Sequence, residues 1–194
     1  GQLRATFKPP LAKVSAEAKC KGGVDLTIPV DEGSIYTWEK ADWGGNNILN
    51  VAELDKELGM KSGEVANGLK IDKGLTAIRK AYGRRGYMER RLTPRPEYDE
   101  LAKQVTYKIA VHEGPQYKMG TLSFKGFSEG EEKRLREKWD LQPGTPFNED
   151  YYDDFTKHAL AAVLGQKLVG ARISTALRPN KTTHSVDVSI EIIK

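Results

Sequence analysis

Residues 105–117 read VTYKIAVHEGPQY, and the same pattern occurs 81 positions earlier at residues 24–36, which read VDLTIPVDEGSIY. In both stretches apolar residues alternate with polar ones, and the alternation leads into Glu-Gly and a tyrosine. It starts a third time at residues 186–193, which read VDVSIEII. A period of two is typical of a strand with one buried and one solvated face. The chain therefore carries three copies of one strand at a fixed spacing.

The offset of 81 residues extends over most of the chain without a gap. Further matching pairs are Gly45 with Gly126, Leu54 with Leu135, Gly63 with Gly144, Asn67 with Asn148, Asp72 with Asp153, Ala81 with Ala162 and Arg91 with Arg172. A repeat of this kind means that one supersecondary unit has to be explained rather than one long domain. We predict complete modules at residues 33–113 and 114–194, preceded at 1–32 by the closing hairpin of a truncated module.

Each unit begins with a short strand and two helices. The strand is predicted at 36–43 and 117–124, and the first helix at 51–58 and 131–138. Asn67 and Asn148 suit the N-cap of a second helix, because an asparagine side chain accepts a free backbone N–H there. The predicted buried stripes of this helix are Ile71, Leu75, Ile78 and Tyr82 in one copy, and Tyr152, Phe155, Ala159 and Val163 in the other.

The strand before the alternating one contains proline in every copy. It is predicted at 90–96 with Pro94 and Pro96, at 174–179, and at 6–10. Proline cannot donate a hydrogen bond to a strand ladder and is confined to edges. We therefore place this strand at the edge of each sheet and the alternating strand in the middle.

The order strand, helix, helix, strand, strand, repeated about every 80 residues, resembles the POTRA domain of the BamA-like outer-membrane insertase superfamily. The motifs that carry the resemblance are VHEGPQY at 111–117, GTLSFKG at 120–126, LQPGTPF at 141–147, YYDDF at 151–155, and Tyr82 with Gly86-Tyr87. It implies an α+β fold of tandem modules, each a three-stranded mixed sheet with two helices on one face.

The same resemblance implies a role without catalysis. Such modules form the arm of a membrane β-barrel protein, on the periplasmic side of the outer membrane of a Gram-negative bacterium. The expected partners are unfolded outer-membrane protein clients, accessory lipoproteins and the C-terminal β-barrel of the full-length chain. Neither nucleic acid nor a cofactor is expected, and the fragment itself is expected to be soluble.

The edge strands are the predicted binding sites, because an edge with unpaired N–H and C=O groups can add an extended peptide as a further strand. The candidate residues are Arg90, Arg91, Leu92 and Thr93 on one edge, and Arg172, Ile173, Ser174 and Thr175 on the other. The alternative is that prolines and charges only cap these edges and the array is a spacer. The modules themselves are expected to meet near 113–117 through a short polar interface that permits different orientations.

Residues with catalytic or metal-binding potential do not converge in the sequence. His112, His158 and His184 share no metal-ligand spacing, and Cys20 is alone, so it cannot form an internal disulfide. No stretch is long enough and apolar enough to be a membrane helix. We predict neither an enzyme nor a metal site.

A nucleic-acid-binding repeat protein is the alternative from another class. The net charge is +4, and residues 83–86 read GRRG, which fits the GxxG loop of KH domains. The second copy lacks this motif, and its position between a helix and a strand favours a helix C-cap. Within the superfamily, a two-partner secretion transporter, a TamA-like translocator and an organelle import channel remain open.

Overall fold

The structure is a computed structural model, in which residues 2–15, 22–165 and 172–193 are described. It begins with four short strands, β1 (Thr6–Phe7), β2 (Leu11–Val14), β3 (Val24–Thr27) and β4 (Val30–Asp31). They pair antiparallel, β1 with β4 and β2 with β3, which is the pairing of a hairpin. Cys20 lies outside the described ranges.

The first three-stranded sheet lies between residues 37 and 112. Its elements are β5 (Thr37–Gly44), α1 (Val51–Leu58), α2 (Gly68–Gly83), β6 (Arg91–Asp99) and β7 (Gln104–His112). The strand order is β5-β7-β6, with β7 parallel to β5 and antiparallel to β6. The alternating strand β7 is therefore central, and its side chains Val105, Tyr107, Ile109 and Val111 are buried in one core with residues of α1 and α2.

The second sheet repeats this arrangement. Its elements are β8 (Lys118–Lys125), α3 (Glu129–Glu137), α4 (Glu149–Asp154), α5 (Leu160–Leu164), β9 (Arg172–Asn180) and β10 (Ser185–Ile193). The strand order is β8-β10-β9, and a separate core forms around Val186, Val188 and Ile190 of β10. The predicted α+β fold, with a mixed three-stranded sheet in each copy, is confirmed.

The helix starts also agree with the sequence. The Asn67 side chain accepts the N–H of Lys70, and the Asn148 side chain accepts the N–H of Tyr151, so both asparagines cap the second helix of their copy. The proline-bearing strands β6 and β9 are at the sheet edges as predicted, and both are longer than predicted, since β6 continues past Pro96 to Asp99 and β9 extends from Arg172 to Asn180. The strand predicted at 6–10 is shorter, because β1 ends at Phe7, before the two prolines.

The buried stripe predicted for the second copy is wrong in its second half. Tyr152 and Phe155 are buried, but Leu160 and Leu164 are buried in place of Ala159 and Val163, which are only partly covered. The reason is a π-helical turn at Phe155–Ala159, between α4 and α5. A π turn adds one residue to the helical turn and so rotates everything after it by about one position.

The alternating face of the N-terminal hairpin is also not buried as predicted. Val24, Leu26, Ile28 and Val30 are between 52% and 65% exposed. Alternating apolar residues give a strand one apolar face. That face is buried only where a second layer of structure packs on it. Among the described residues, the strands of this hairpin make their main contacts with one another.

Glu113 ties together three segments of the first copy at the end of β7. Its carboxylate accepts the backbone N–H groups of Asn47 and Ile48, both at 2.8 Å, and the hydroxyl of Tyr82 at 2.9 Å. Burial acts to raise the pKa of Glu113, but these hydrogen bonds outweigh it and hold the pKa below the ordinary value. Burial and the neighbouring Glu113 raise the pKa of Tyr82, so the phenol stays protonated and donates.

We predict that Leu160→Ala destabilises the second sheet by about 2–5 kcal/mol, the range for a leucine deleted from a packed core. Val163→Ala, a control three residues along the same helix, should cost clearly less because Val163 is only partly buried. Hydrogen exchange of the β10 amides measures both. A larger loss of stability for Val163→Ala than for Leu160→Ala would mean that Val163 faces the core, as it would in a helix without the π turn.

We also predict that Glu113 makes the first sheet sensitive to acid. Its pKa is lower in the folded chain than the ordinary value of 4.5. The stabilisation is therefore complete above the unfolded pKa and is lost as pH falls through the folded pKa. Glu113→Gln should lower stability at neutral pH and flatten its decline in acid.

Urea unfolding from neutral pH into the acid range tests this, with Glu97→Gln on the exposed edge as the control. Identical acid profiles for Glu113→Gln and the unmodified chain would show that Glu113 is not the group responsible.

Candidate peptide-binding edges

In each sheet, the outer main-chain groups at the start of the first strand are hydrogen-bonded by the loop between the two helices. Trp38 donates to the carbonyl of Glu64 and accepts from Gly63, at 2.7 and 2.8 Å. In the second sheet the N–H of Met119 donates to Thr145, and its carbonyl accepts from Gly144, at 2.8 and 2.7 Å. The loop between the two helices thus occupies this end of β5 and of β8.

The outer sides of β6 and β9 are different, because no further strand pairs with them among the described residues. Both strands pair with their central neighbour over nine consecutive residues without a register shift. Pro94 and Pro96 of β6 and Pro179 of β9 lie inside these unbroken ladders. In an antiparallel pair the N–H groups point alternately toward and away from the partner. We infer that each proline stands where the N–H position points outward, since there it removes no ladder bond.

Counting in steps of two from these prolines gives the outward main-chain donors. On β6 they are Leu92 and Tyr98, with Pro94 and Pro96 interrupting the row between them. On β9 they are Ile173, Thr175 and Leu177, in one uninterrupted row before Pro179. The second edge therefore offers a longer stretch for main-chain pairing than the first.

The side chains beside the open edge of β9 are mixed in character. Ile173 and Leu177 are half-buried and pack against the second core, while Thr175 between them is exposed. Arg172 and Arg178 are exposed at the two ends. On β6, Leu92 is only 7% exposed, and Arg91 and Thr93 are exposed.

Arg90 is not part of an edge strand, which corrects the prediction from sequence. It precedes β6, and its guanidinium forms two bonds to the carboxylate of Glu149, at 2.6 and 2.7 Å. Arg90 therefore joins the two copies of the repeat. Of the eight predicted residues, the structure places Arg91, Leu92 and Thr93 on β6, and Arg172, Ile173, Ser174 and Thr175 on β9.

Ser174 and Thr93 have inward N–H groups by the same count. Leu177 and Tyr98, whose N–H groups point outward, were missed from sequence. The spacing of the prolines contains this information, since residues an even number of positions from an edge proline share its orientation.

The GRRG stretch behaves as a helix end. Arg84 caps α2 by donating its N–H to the carbonyl of Lys80. Its side chain pairs with Asp150 at 3.0 Å, and the side chain of Arg85 pairs with Glu53 at 2.8 Å. Both arginines therefore have carboxylate partners, which argues against a phosphate-binding role for this loop.

The described residues contain no group of three or more His, Cys, Asp or Glu side chains that could hold a metal ion. His184 contacts the ring of Tyr117 edge-on at 5.7 Å, and His158 lies 2.8 Å from Asp154 on an exposed helix face. Within the same described ranges, every helix is too short or too polar to cross a membrane.

Residues 36–114 match the family model for POTRA, described as a surface antigen variable number repeat. This segment begins just before β5 and ends just after β7, so the match covers the first sheet and its two helices. Residues 36–114 are therefore a POTRA domain, and the recognition made from the sequence motifs is confirmed.

The chain is also similar to larger proteins. It is 24% identical over 169 residues to an outer membrane protein assembly factor of Treponema pallidum, and 24% identical over 212 aligned positions to the outer membrane protein assembly factor BamA of Neisseria meningitidis. These alignments cover 87% and 99% of the chain but only 20% and 25% of the relatives.

Among solved structures, POTRA domains 3 to 5 of Haemophilus influenzae BamA match with a TM-score of 0.72 and 23% identity, covering the whole chain and 74% of that structure. BamA of Haemophilus ducreyi lacking POTRA domains 1 to 3 matches with a TM-score of 0.58 and 17% identity, over 83% of the chain and 29% of that structure. These likenesses show the fold, and they extend it to the second copy.

We predict that the second edge tolerates proline at Thr175 but not at Ser174. Thr175 occupies the position of Pro94 in the first copy, where proline fits the strand, whereas an inward proline at Ser174 removes a ladder bond. Thr175→Pro should keep the amide protection of β10, and Ser174→Pro should reduce it. Hydrogen exchange of the two variants compares them directly. Equal loss in both would mean that the assigned orientation of β9 is wrong.

Proposed function

We propose that residues 33–113 and 114–194 are two POTRA modules of the periplasmic arm of an outer-membrane β-barrel assembly protein. In this proposal residues 1–32 are the closing hairpin of a preceding module. The arm holds extended segments of unfolded outer-membrane proteins and catalyses no reaction. Accessory lipoproteins and the β-barrel of the full-length chain are its further partners. The similarity to outer membrane protein assembly factors of Treponema pallidum and Neisseria meningitidis supports this assignment.

The observation that carries the binding proposal is the outer side of β9. Three outward donors at alternate positions, Ile173, Thr175 and Leu177, match the spacing of acceptors on an added strand. Pairing through the main chain requires little of the client sequence, which suits a binder of many different precursors. The half-buried Ile173 and Leu177 add a modest preference for apolar side chains next to them.

The first edge is the weaker site in this proposal. Pro94 and Pro96 remove two consecutive outward donors from its centre, so an added strand finds only carbonyl acceptors there and loses two main-chain bonds. We therefore propose β9 as the main receiving edge and β6 as a subsidiary one. The alternative is that prolines and charges only cap the edges and that the array is a spacer. This alternative is more consistent with β6 than with β9.

Polypeptide is the proposed partner rather than nucleic acid. The arginine pair that raised the nucleic-acid alternative is paired with Glu53 and Asp150. The basic and acidic residues are interspersed elsewhere, and this pattern lacks the concentrated positive surface that phosphate backbones require.

A peptide titration followed by backbone amide signals tests the proposal. We expect an extended peptide taken from a barrel strand to shift or broaden the signals of β9, with weak affinity because the peptide is ordered on binding. Thr175→Pro should weaken this effect, since it removes one outward donor while the strand keeps its ladder. Arg178→Ala is the control, because it removes a solvent-screened charge and no main-chain donor.

Shifts confined to the helices, or unchanged binding by a folded Thr175→Pro variant, would contradict the edge mechanism. If the control weakens binding as much as Thr175→Pro, charge rather than main-chain pairing is responsible.

A further inference from the structure

The joint between the two copies is built around one arginine–carboxylate fork. The side chains of Arg90 and Glu149 are 16% and 25% exposed, so most of the fork is shielded from water. Two parallel bonds give an arginine–carboxylate pair a defined geometry as well as strength. Gly83 makes room for it, because a Cβ atom at this position would lie 2.2 Å from Oε2 of Glu149.

Three more contacts surround the fork. Arg84 at the end of α2 pairs with Asp150 at 3.0 Å, and the side-chain amide of Gln116 donates to the carbonyl of Arg85 at 3.0 Å. Met88, from the loop after α2, packs against the second core. The interface is polar as predicted, but the partly buried methionine and the shielded fork oppose the free reorientation that the sequence suggested.

The equivalent positions at the start of the first copy have a different chemistry. Glu149, Asp150 and Gln116 correspond to Gly68, Leu69 and Ile35 in the 81-residue register. Arg84 corresponds to Leu3, which packs against the first core and approaches a Cβ built on Gly68 to 3.4 Å. Leu69 is 78% exposed and Ile35 is 58% exposed. At these positions one joint is ionic and the other is apolar, and the ion pair of the first joint, Arg4 with Glu100, lies at other positions of the repeat.

We propose that these positions determine which module can follow which along the arm. The start of α4, with Glu149 and Asp150, accepts a helix end that carries arginines. The start of α2 accepts an apolar residue, Leu3, beside Gly68. A mismatched joint leaves a shielded charge without its partner, which is strongly unfavourable. Discrimination of this kind needs an unfavourable wrong pairing as well as a favourable right one.

If the proposal is right, the Arg90–Glu149 joint holds the two copies in one relative orientation. This expectation does not depend on peptide binding at β9. Spin labels on Lys73→Cys in α2 and Lys133→Cys in α3, with Cys20→Ser, report the distance between the copies in the intact chain. Both lysines are exposed. We expect one narrow distance distribution for this labelled parent.

Replacing Glu149 and Asp150 by the residues of the first copy, E149G/D150L, should abolish the single narrow distance. Arg90→Ala should do the same without altering α4. Arg91→Ala is the matched control, since Arg91 is the adjacent arginine and is exposed on β6. Amide spectra verify that each sheet remains folded.

A narrow distance at the parent's value in both folded E149G/D150L and Arg90→Ala would overturn the proposal. So would equal broadening by Arg91→Ala, because positive charge in general, rather than this fork, would then align the copies. Loss of the narrow distance in Arg90→Ala with Arg91→Ala unchanged supports it, even if E149G/D150L does not fold.

Discussion

Burial of alternate residues of the central strand is the constraint on which each sheet depends. Val105, Ile109, Val186 and Ile190 are at most 1% exposed, and each lies under the helices of its own copy. A shift of one residue would turn this whole face toward water, so the register of the central strand is strongly fixed. The neighbouring edge strand is then held in register over its full length. That register determines which N–H groups of the edge strand point outward, and therefore which positions can accept a proline.

The sequence predicted the features that depend on short-range pattern. The alternation of residues 105–111, the caps at Asn67 and Asn148, and the prolines of the edge strands each have a local physical cause, and the structure agrees with all of them. The joint could not be obtained in the same way. Arg90 and Glu149 lie 59 positions apart, and nothing local distinguishes Arg90 from the exposed Arg91 next to it.

The geometry of the edge strands was predicted only in part. The sequence placed the correct strands at the edges, but it did not give the orientation of individual N–H groups, which depends on pairing with a distant strand. Once the ladder is known to be unbroken, the prolines supply that orientation. The two edges then differ in their usable donors although they come from the same repeat, and this difference underlies the preference that we propose for β9.

The π turn at Phe155–Ala159 has a consequence for any comparison between the copies. Up to Phe155, residues 81 positions apart occupy equivalent places in space, but beyond the turn the buried Leu160 is aligned in sequence with Arg79. A consensus sequence averaged over the copies would therefore merge a core position with a partly exposed one. Recombining the modules inside this helix would transfer residues into the wrong environment, whereas crossover points in the loops before α2 and α4 preserve each helix with its own phase.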